Sequence, residues 1–259
     1  MTAAAIDTTL GELLSPSQVN TFLSCPAKWY FRYAVGLKEP ATGSLALGTA
    51  FHAAMAANFR QKTETKHDLP TETVQDFFSE AFAMAAADAE FRDEEDPVAL
   101  IETGRALIAK YVADGAASVQ PKAVELPVQG VIAGVRVQGI VDLLDTDGRI
   151  IDCKTASRRP VGITADYGLQ LTTYSMITPG ATGACRLDTV TKTQDVQLVQ
   201  QSCTIGAEER RYAETIYPMV QDGIRDGIYT PRRGSSFCSR RYCGYWRECE
   251  REYGGRIPG

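Results

Sequence analysis

The residues best placed to do chemistry lie in one run, Gly139-Ile140-Val141-Asp142-Leu143-Leu144-Asp145-Thr146-Asp147-Gly148-Arg149-Ile150-Ile151-Asp152-Cys153-Lys154. It reads as two strands joined by a tight turn. Taking Thr146-Asp147-Gly148 as a three-residue loop, with Gly148 in the left-handed position such loops favour, pairs Asp145 with Arg149. Counting inward sets Asp142 across from Asp152, their Cβ atoms about 5 Å apart on one face of the sheet. Lys154, two residues past Asp152, points to the same face. Carboxylates this close repel unless a cation or a shared proton intervenes. Mg²⁺ or Mn²⁺ with oxygen ligands resolves the repulsion. A lysine beside such an ion can orient or deprotonate a water and steady charge developing on a phosphate. The plainer alternative is a surface hairpin carrying an Asp–Lys pair. The apolar flanks Ile140-Val141 and Ile150-Ile151 weigh against it, because a buried edge rarely tolerates unpaired charge.

Other residues could serve the same site. Gln170 and Tyr174 are four apart and share one helix face, from which both can hydrogen-bond a phosphate or the neighbourhood of a nucleophile. His52 is one of only two histidines; the other, His67, lies in a polar stretch and reads as a surface residue. Glu125 sits on the strand before the hairpin, open between a group backing the site and a purely structural one. The seven cysteines are an odd number in a chain without a recognisable export signal at Met1–Leu14, so a disulfide framework is not expected. Cys153, Cys185 and Cys203 lie in strand-like or apolar surroundings and read as buried thiols. Cys238, Cys243 and Cys249 crowd into twelve residues, and Cys25 stands alone near the N-terminus. Arg240, Arg241 and Arg247 alternate with Tyr242, Tyr245 and Trp246 there. That mixture suits a passing strand of nucleic acid, since arginines neutralise phosphates and aromatics stack bases; packing of the aromatics around the cysteines is the alternative.

The elements that must position these residues follow from periodicity. Ser15-Pro16-Ser17-Gln18 is a capping box with proline at the first helical position, and Pro26 marks a break. Gly48-Thr49 is expected to open a second helix carrying Phe51, His52, Met55 and Phe59. Apolar residues at helical spacing predict further helices over 71–90 and 97–113. After Pro121 the period falls to two, predicting strands at 124–131, 135–144 and 149–154. A helix over 164–178, strands at 184–192 and 195–203, and an amphipathic helix over 206–227 complete the pattern. The last thirty residues show little periodicity and need something besides an apolar core to hold them.

At 259 residues with 44% hydrophobic and 23% charged residues, the chain can bury a substantial core, and global disorder is not expected. No apolar run approaches the roughly 20 residues that span a bilayer. The net charge of −5 conceals an asymmetry: residues 232–259 hold seven arginines against three glutamates, a local +4, so the remainder carries −9. A basic segment on an acidic body can still hold a phosphate backbone.

With these residues in view, the chain resembles the RecB-like branch of the PD-(D/E)XK nuclease superfamily, and within it the small iron–sulfur exonucleases of phages and the CRISPR-adaptation nuclease. The resemblance runs from Leu14 to about Arg251 and rests on five motifs in the family's order. Ser15-Pro16-Ser17 through Phe22 to Cys25-Pro26 is similar to the N-terminal signature. Gly48-Thr49-Ala50-Phe51-His52 is similar to the G-x-x-x-H helix, whose histidine binds metal. Gly139-Ile140-Val141-Asp142 resembles the G-x-x-D strand, Asp152-Cys153-Lys154 the D-x-K strand, and Gln170 to Tyr174 the Q-x-x-x-Y helix. The resemblance implies a Mg²⁺ or Mn²⁺ held by His52, Asp142, Asp152 and the backbone carbonyl of Cys153, with Asp142, Asp152, Lys154, Gln170 and Tyr174 as the catalytic set. It places a glutamate near Glu125, as a second-metal or supporting group. It also implies a [4Fe–4S] staple on Cys25, Cys238, Cys243 and Cys249, for which thiolates distant in sequence are no obstacle. The four residues between Cys238 and Cys243 exceed the two most common in the family, and structural Zn²⁺ on the same thiolates is the alternative.

The expectation is therefore an α/β fold: a central mixed sheet flanked by helices, restriction-endonuclease-like, with a helical N-terminal portion and a cluster-stapled C-terminal segment. One nuclease domain over 1–259 is expected, comprising a helical portion (48–118), a core (119–203) and a cysteine-rich segment (229–253). The implied function is metal-dependent DNA hydrolysis from single-stranded or frayed ends, in recombination, repair or phage DNA processing. A CRISPR-adaptation nuclease, or a non-catalytic DNA-binding subunit, is the alternative. DNA is the expected partner, with room for a recombination or helicase protein and none for a membrane. The expected location is the cytoplasm of a bacterial or phage-infected cell.

Overall fold

The computed structural model describes residues 10–259; the reading of the extreme N-terminus as free of an export signal falls largely outside them. In chain order the elements are β1 (Leu13–Leu14), α1 (Pro16–Ser24), α2 (Pro26–Trp29), α3 (Gly43–Thr65), α4 (Thr71–Ala86), α5 (Pro97–Asp114), β2 (Pro121–Ile132), β3 (Val135–Asp145), β4 (Ile150–Ala156), α6 (Ala165–Ile177), β5 (Ala184–Thr191), β6 (Leu198–Thr204), α7 (Ala207–Arg225) and α8 (Trp246–Tyr253). Two compact units form: a larger one from residues 40–128 and 140–206, and a smaller one from residues up to Glu39 with 129–139 and 207–259.

The larger unit is an α/β layer structure. Its strands run in the order β3-β4-β5-β6, with β2 paired to β3. β3 and β4 are antiparallel, β4 and β5 parallel, and β5 and β6 antiparallel, so the sheet is mixed as expected. The parallel step needs a crossover, which α6 supplies by packing on β4 and β5. Helices α3, α4 and α5 meet in one apolar cluster in which Leu47, Phe51, Phe59, Phe78 and Tyr111 pack with Leu143, Ile151, Cys153 and Val190 of the sheet. Burying such side chains stabilises the unit by roughly 1.5–3 kcal/mol each.

Local chemistry sets the boundaries that matter for the site. Helix α3 starts at Gly43, five residues ahead of the expected Gly48. Its N-terminal amides are satisfied by the Thr42 hydroxyl, which accepts from Leu45 N–H at 3.2 Å, and by the Glu95 carboxylate, which accepts from Gly43 and Ser44 N–H at 3.1 and 2.8 Å. The second cap comes from fifty residues away and leaves no local sequence pattern. Gly48 consequently lies inside the helix, and α4 stops at Ala86, four residues short of expectation. The β3–β4 turn closes as foreseen: Asp145 N–H donates to Arg149 O at 2.9 Å, and Gly148 has φ +78°.

In the smaller unit, Leu13 and Leu14 pair in parallel with Arg136 and Val137. Ser15 caps α1 by accepting from Gln18 N–H at 3.3 Å, and Pro26 restarts the chain as α2 after Cys25 has turned extended. The C-terminal segment contains a helix that periodicity does not reveal, α8. Its Cys249 packs in a small core with Ala27, Phe31, Tyr245 and Ile257. Among the described residues, no helix is long and apolar enough to cross a membrane.

Candidate functional site

The hairpin register places Leu143 opposite Ile151 and Leu144 opposite Ile150, so Asp142 stands opposite Asp152. Beyond that point the backbone ladder stops. The Cys153 N–H, the next donor in line, is taken by Asp142 Oδ2 at 2.9 Å instead of by a strand carbonyl. The two strands part here, and the carboxylates occupy the gap.

Each element contributes to this gap. From α3, His52 Nδ1 stands 3.4 Å from Asp142 Oδ2. From β4, Lys154 Nζ lies 2.5 Å from Asp152 Oδ2. From α6, Gln170 Nε2 donates to Asp152 Oδ1 at 2.9 Å and approaches the Tyr174 hydroxyl at 3.4 Å. Tyr167, which the motifs did not single out, sets its ring 5.6 Å from Lys154 Nζ. Glu125 shares a small cleft with His52, Asp142 and Cys153. Its backbone is left-handed (φ +45°), a strained conformation for a non-glycine residue, and its carboxylate is ion-paired with Arg60 on α3. The structure thus brings His52, Glu125, Asp142, Asp152, Lys154, Gln170 and Tyr174 together on one side of the sheet opening.

Proton affinities follow from this crowding. Asp152 is 1% exposed. Burial pushes its carboxyl up, against the pull of Lys154 and with a further push from Asp142, to about 7. Lys154 holds its proton more tightly than a free lysine, because Asp152 and Asp142 together outweigh its own burial. Burial lowers His52, the attraction of Asp142 notwithstanding. The set therefore presents a neutral imidazole, a carboxyl poised near neutrality and a fixed ammonium. The donors fit a hard divalent cation: two facing carboxylates whose mutual repulsion a cation would relieve, and an imidazole free of its proton. Among the described residues, no three His, Cys, Asp or Glu side chains already converge as they would around a single ion.

Behind β4 the sequence patterns missed a buried network. The Cys153 thiol turns away from the site to lie 3.2 Å from the Tyr111 hydroxyl. That hydroxyl donates to Asp188 Oδ2 at 2.8 Å, as does Arg186 Nη2, and Gln200 Nε2 approaches Asp188 Oδ1 at 3.3 Å. Cys153 and Asp188 are register partners, so this network braces the strand that carries Asp152 and Lys154. Only its alternation with apolar residues on β5 could have signalled it, and that pattern matches a half-exposed strand equally well.

In the smaller unit, Cys25, Cys238, Cys243 and Cys249 line one cavity of about 310 Å³, and all four are free thiols. Arg232 N–H donates to Cys25 Sγ at 3.4 Å, and the Arg233 guanidinium approaches Cys249 Sγ at 4.0 Å. Thiol ligands of this kind suit either an iron–sulfur cluster or Zn²⁺, and among the described residues no three of them already converge as they would around a bound ion. Of the arginines expected to meet nucleic acid, Arg240 and Arg247 both stack on Trp246, at 4.6 and 4.7 Å from its ring centroid, and Arg240 also pairs with Glu250. Tyr245 is buried, with its hydroxyl on Leu37 O, and lines the cysteine cavity instead of the open surface. Arg241 lies 5.7 Å over Tyr242, on the exposed side.

A mixed sheet that opens around paired carboxylates, with a lysine on one strand and Gln and Tyr on the crossover helix, is the framework of a phosphodiester-cleaving α/β fold. The family model of the PD-(D/E)XK nuclease superfamily matches residues 13–250, and the chain belongs to that superfamily. Among solved structures it is similar to a candidate exonuclease from Eubacterium rectale, with a TM-score of 0.54 and 13% identity over 92% of both chains. A weaker likeness is to the protein SSO0001, with a TM-score of 0.40 and 14% identity over 88% of this chain and 95% of that one. No curated protein matches the chain.

Proposed function

We propose that this protein is a metal-dependent deoxyribonuclease that acts from single-stranded or frayed DNA ends. The observation that carries the reading is the parting of β3 and β4 around Asp142 and Asp152, with Lys154 and Gln170 bonded to the same buried carboxylate. The exonuclease assignment of the Eubacterium rectale protein, which shares the fold, points the same way. His52, Asp142, Asp152 and the Cys153 carbonyl would hold Mg²⁺ or Mn²⁺, which when bound supplies positive charge at the scissile phosphate and acidifies water. The chain's own residues do the rest. Gln170 fixes the Asp152 carboxylate through Oδ1, and Tyr174 in turn steadies the Gln170 amide. Lys154 keeps a proton on Nζ and offers it to the region where an attacking water and a phosphate oxygen would meet. Glu125, tied by Arg60, backs the histidine side of the cleft. Cys25, Cys238, Cys243 and Cys249 would hold a [4Fe–4S] cluster. Structural Zn²⁺ on the same four thiolates is the alternative.

The test is a nuclease assay on anaerobically purified protein, with end-labelled linear single-stranded DNA in Mn²⁺, Mg²⁺ or EDTA and the visible spectrum recorded on the same sample. Metal-dependent shortening from an end, lost in Lys154→Ala with its fold intact, is the expected outcome. Intact DNA under every metal, from a brown cluster-loaded sample, would leave a non-catalytic DNA-binding subunit. A colourless sample that binds zinc would overturn the cluster.

A further inference from the structure

Two large aromatic side chains on the cysteine-rich segment are left in water: Phe237 is 68% exposed and Tyr242 is 49% exposed. Their rings meet edge to face with centroids 6.2 Å apart. Each immediately precedes a cysteine of the shared cavity, Phe237 before Cys238 and Tyr242 before Cys243. The backbone at both points is pinned by a turn: Cys238 N–H donates to Ser235 O at 2.9 Å, and Cys243 N–H to Ser239 O at 2.9 Å. The loop between them is anchored again where Arg240 N–H donates to Pro258 O at 2.8 Å. The rings are thus held in a fixed frame at the mouth of the cysteine cavity, which both help to line, with the Arg241 guanidinium 5.7 Å from the Tyr242 ring centroid. Neighbouring aromatics went the other way: Tyr245 and Phe31 are buried, and Trp246 carries the guanidiniums of Arg240 and Arg247.

An exposed pair of rings beside a cation, in a segment of net +4, matches unpaired nucleobases on a phosphate backbone. Bases inside a duplex have no free face to offer such rings. We propose that Phe237 and Tyr242 form a stacking platform for the unpaired bases of a single DNA strand, with Arg241 set against its phosphates. The inference rests on the nuclease reading above and deepens it, because it makes the single strand the form that this unit grips.

The test measures binding apart from cleavage, by fluorescence anisotropy of the cluster-loaded full chain in EDTA. The probes are an end-labelled oligothymidylate, an abasic oligonucleotide of the same length and charge, and a closed hairpin duplex. Wild-type protein should prefer the oligothymidylate to the abasic strand by tenfold or more. Phe237→Ala and Tyr242→Ala should each weaken oligothymidylate binding by roughly ten- to a hundredfold and erase that preference. Tyr242→Trp should restore it, and duplex binding should not change. Equal wild-type affinity for the oligothymidylate and the abasic strand would overturn the platform, and needs no variant to fold. So would alanine variants that keep the visible spectrum and bind as wild type does. If the platform fails this way while wild type still shortens DNA in Mn²⁺, the nuclease reading stands alone; if wild type neither binds nor shortens DNA, that reading has failed as well.

Discussion

Replacing Asp152 by asparagine should make the metal-free protein more stable while destroying its activity. The carboxyl is displaced from an ordinary 3.8 to about 7, which corresponds to about 4 kcal/mol against ionisation in the folded state. At 1% exposure no solvent screening reduces that figure. The folded chain holds this proton more tightly than the unfolded chain. Its stability therefore falls as pH rises from about 4 to about 7, and the full penalty is present above 7. Asparagine keeps the shape and can accept from Gln170 without the charge. It also removes the partner of Lys154, whose strengthened hold on its proton reports the attraction that would be lost. These effects oppose each other; burial is the larger on Asp152, and Lys154 keeps the Asp142 carboxylate as a neighbour where Arg186 would keep none in Asp188→Ala, so a small net gain on the order of 1 kcal/mol is expected at pH 8 in EDTA. Urea unfolding of both proteins at pH 5 and pH 8 measures it: the variant's advantage should be small at pH 5 and near its maximum at pH 8. Mn²⁺ should raise the unfolding midpoint of wild type and leave the variant unmoved. A variant less stable than wild type at pH 8 would show that the Asp152–Lys154 attraction outweighs the cost of burial, and would refute the account of the site as a repulsive pocket awaiting a cation.

Glu95→Ala removes the carboxylate that accepts from Gly43 and Ser44, and should cost about 1 kcal/mol in urea unfolding while fraying the start of α3. Burial opposes ionisation of Glu95, but backbone donors from Arg92, Ser44 and Gly43 outweigh it and hold the carboxyl below its ordinary range. This contribution is present above the ordinary carboxylate pKa and lost as pH falls through the folded one, so the difference between wild type and variant should vanish in acid. Asp188→Ala leaves Arg186 buried without its carboxylate and should cost about 3–5 kcal/mol, read as a lowered thermal midpoint. Gly148→Ala forces a Cβ to 2.5 Å from Gly180 O at φ +78°, so it should cost about 2 kcal/mol or more and reduce cleavage by shifting the turn that registers Asp142 against Asp152. Wild-type cleavage from Gly148→Ala would show that the turn does not set the register of the carboxylates.

What could be read in advance was whatever the chain decides locally. The Thr146-Asp147-Gly148 turn sets the hairpin register, and period-two alternation then assigns Asp142, Asp152 and Lys154 to one face without tertiary information. The N-cap at Ser15 and the break at Pro26 are equally local. The start of α3 was misplaced because half of its cap is Glu95, and a helix capped from another part of the chain looks from sequence as if it should begin at the next good glycine. Helix α8 escaped because eight residues rich in charge form less than two heptads of pattern. The left-handed backbone at Glu125 and its clasp by Arg60 have no local signature at all. Nor does the Arg186–Asp188–Tyr111 network, since charged residues on a strand buried on both faces look from sequence like the exposed side of an ordinary one.

The misplaced and missed elements have a common physical role: each fixes a residue that the motifs name without itself bearing a motif. Glu95 anchors the helix that carries His52, and Asp188 braces the strand that carries Asp152 and Lys154. The Ser239 turn aims Tyr242. Reacting groups are constrained in type, so they recur in recognisable patterns. The groups that hold them need only reach the right atom, and many sequences satisfy that. The consequence is testable by contrast. Substitutions at the supporting residues should move stability first and activity only through it, whereas Asp152→Asn should move the two in opposite directions. A site whose charge is held in place by the fold, at a cost to the fold, is what that opposition would reveal.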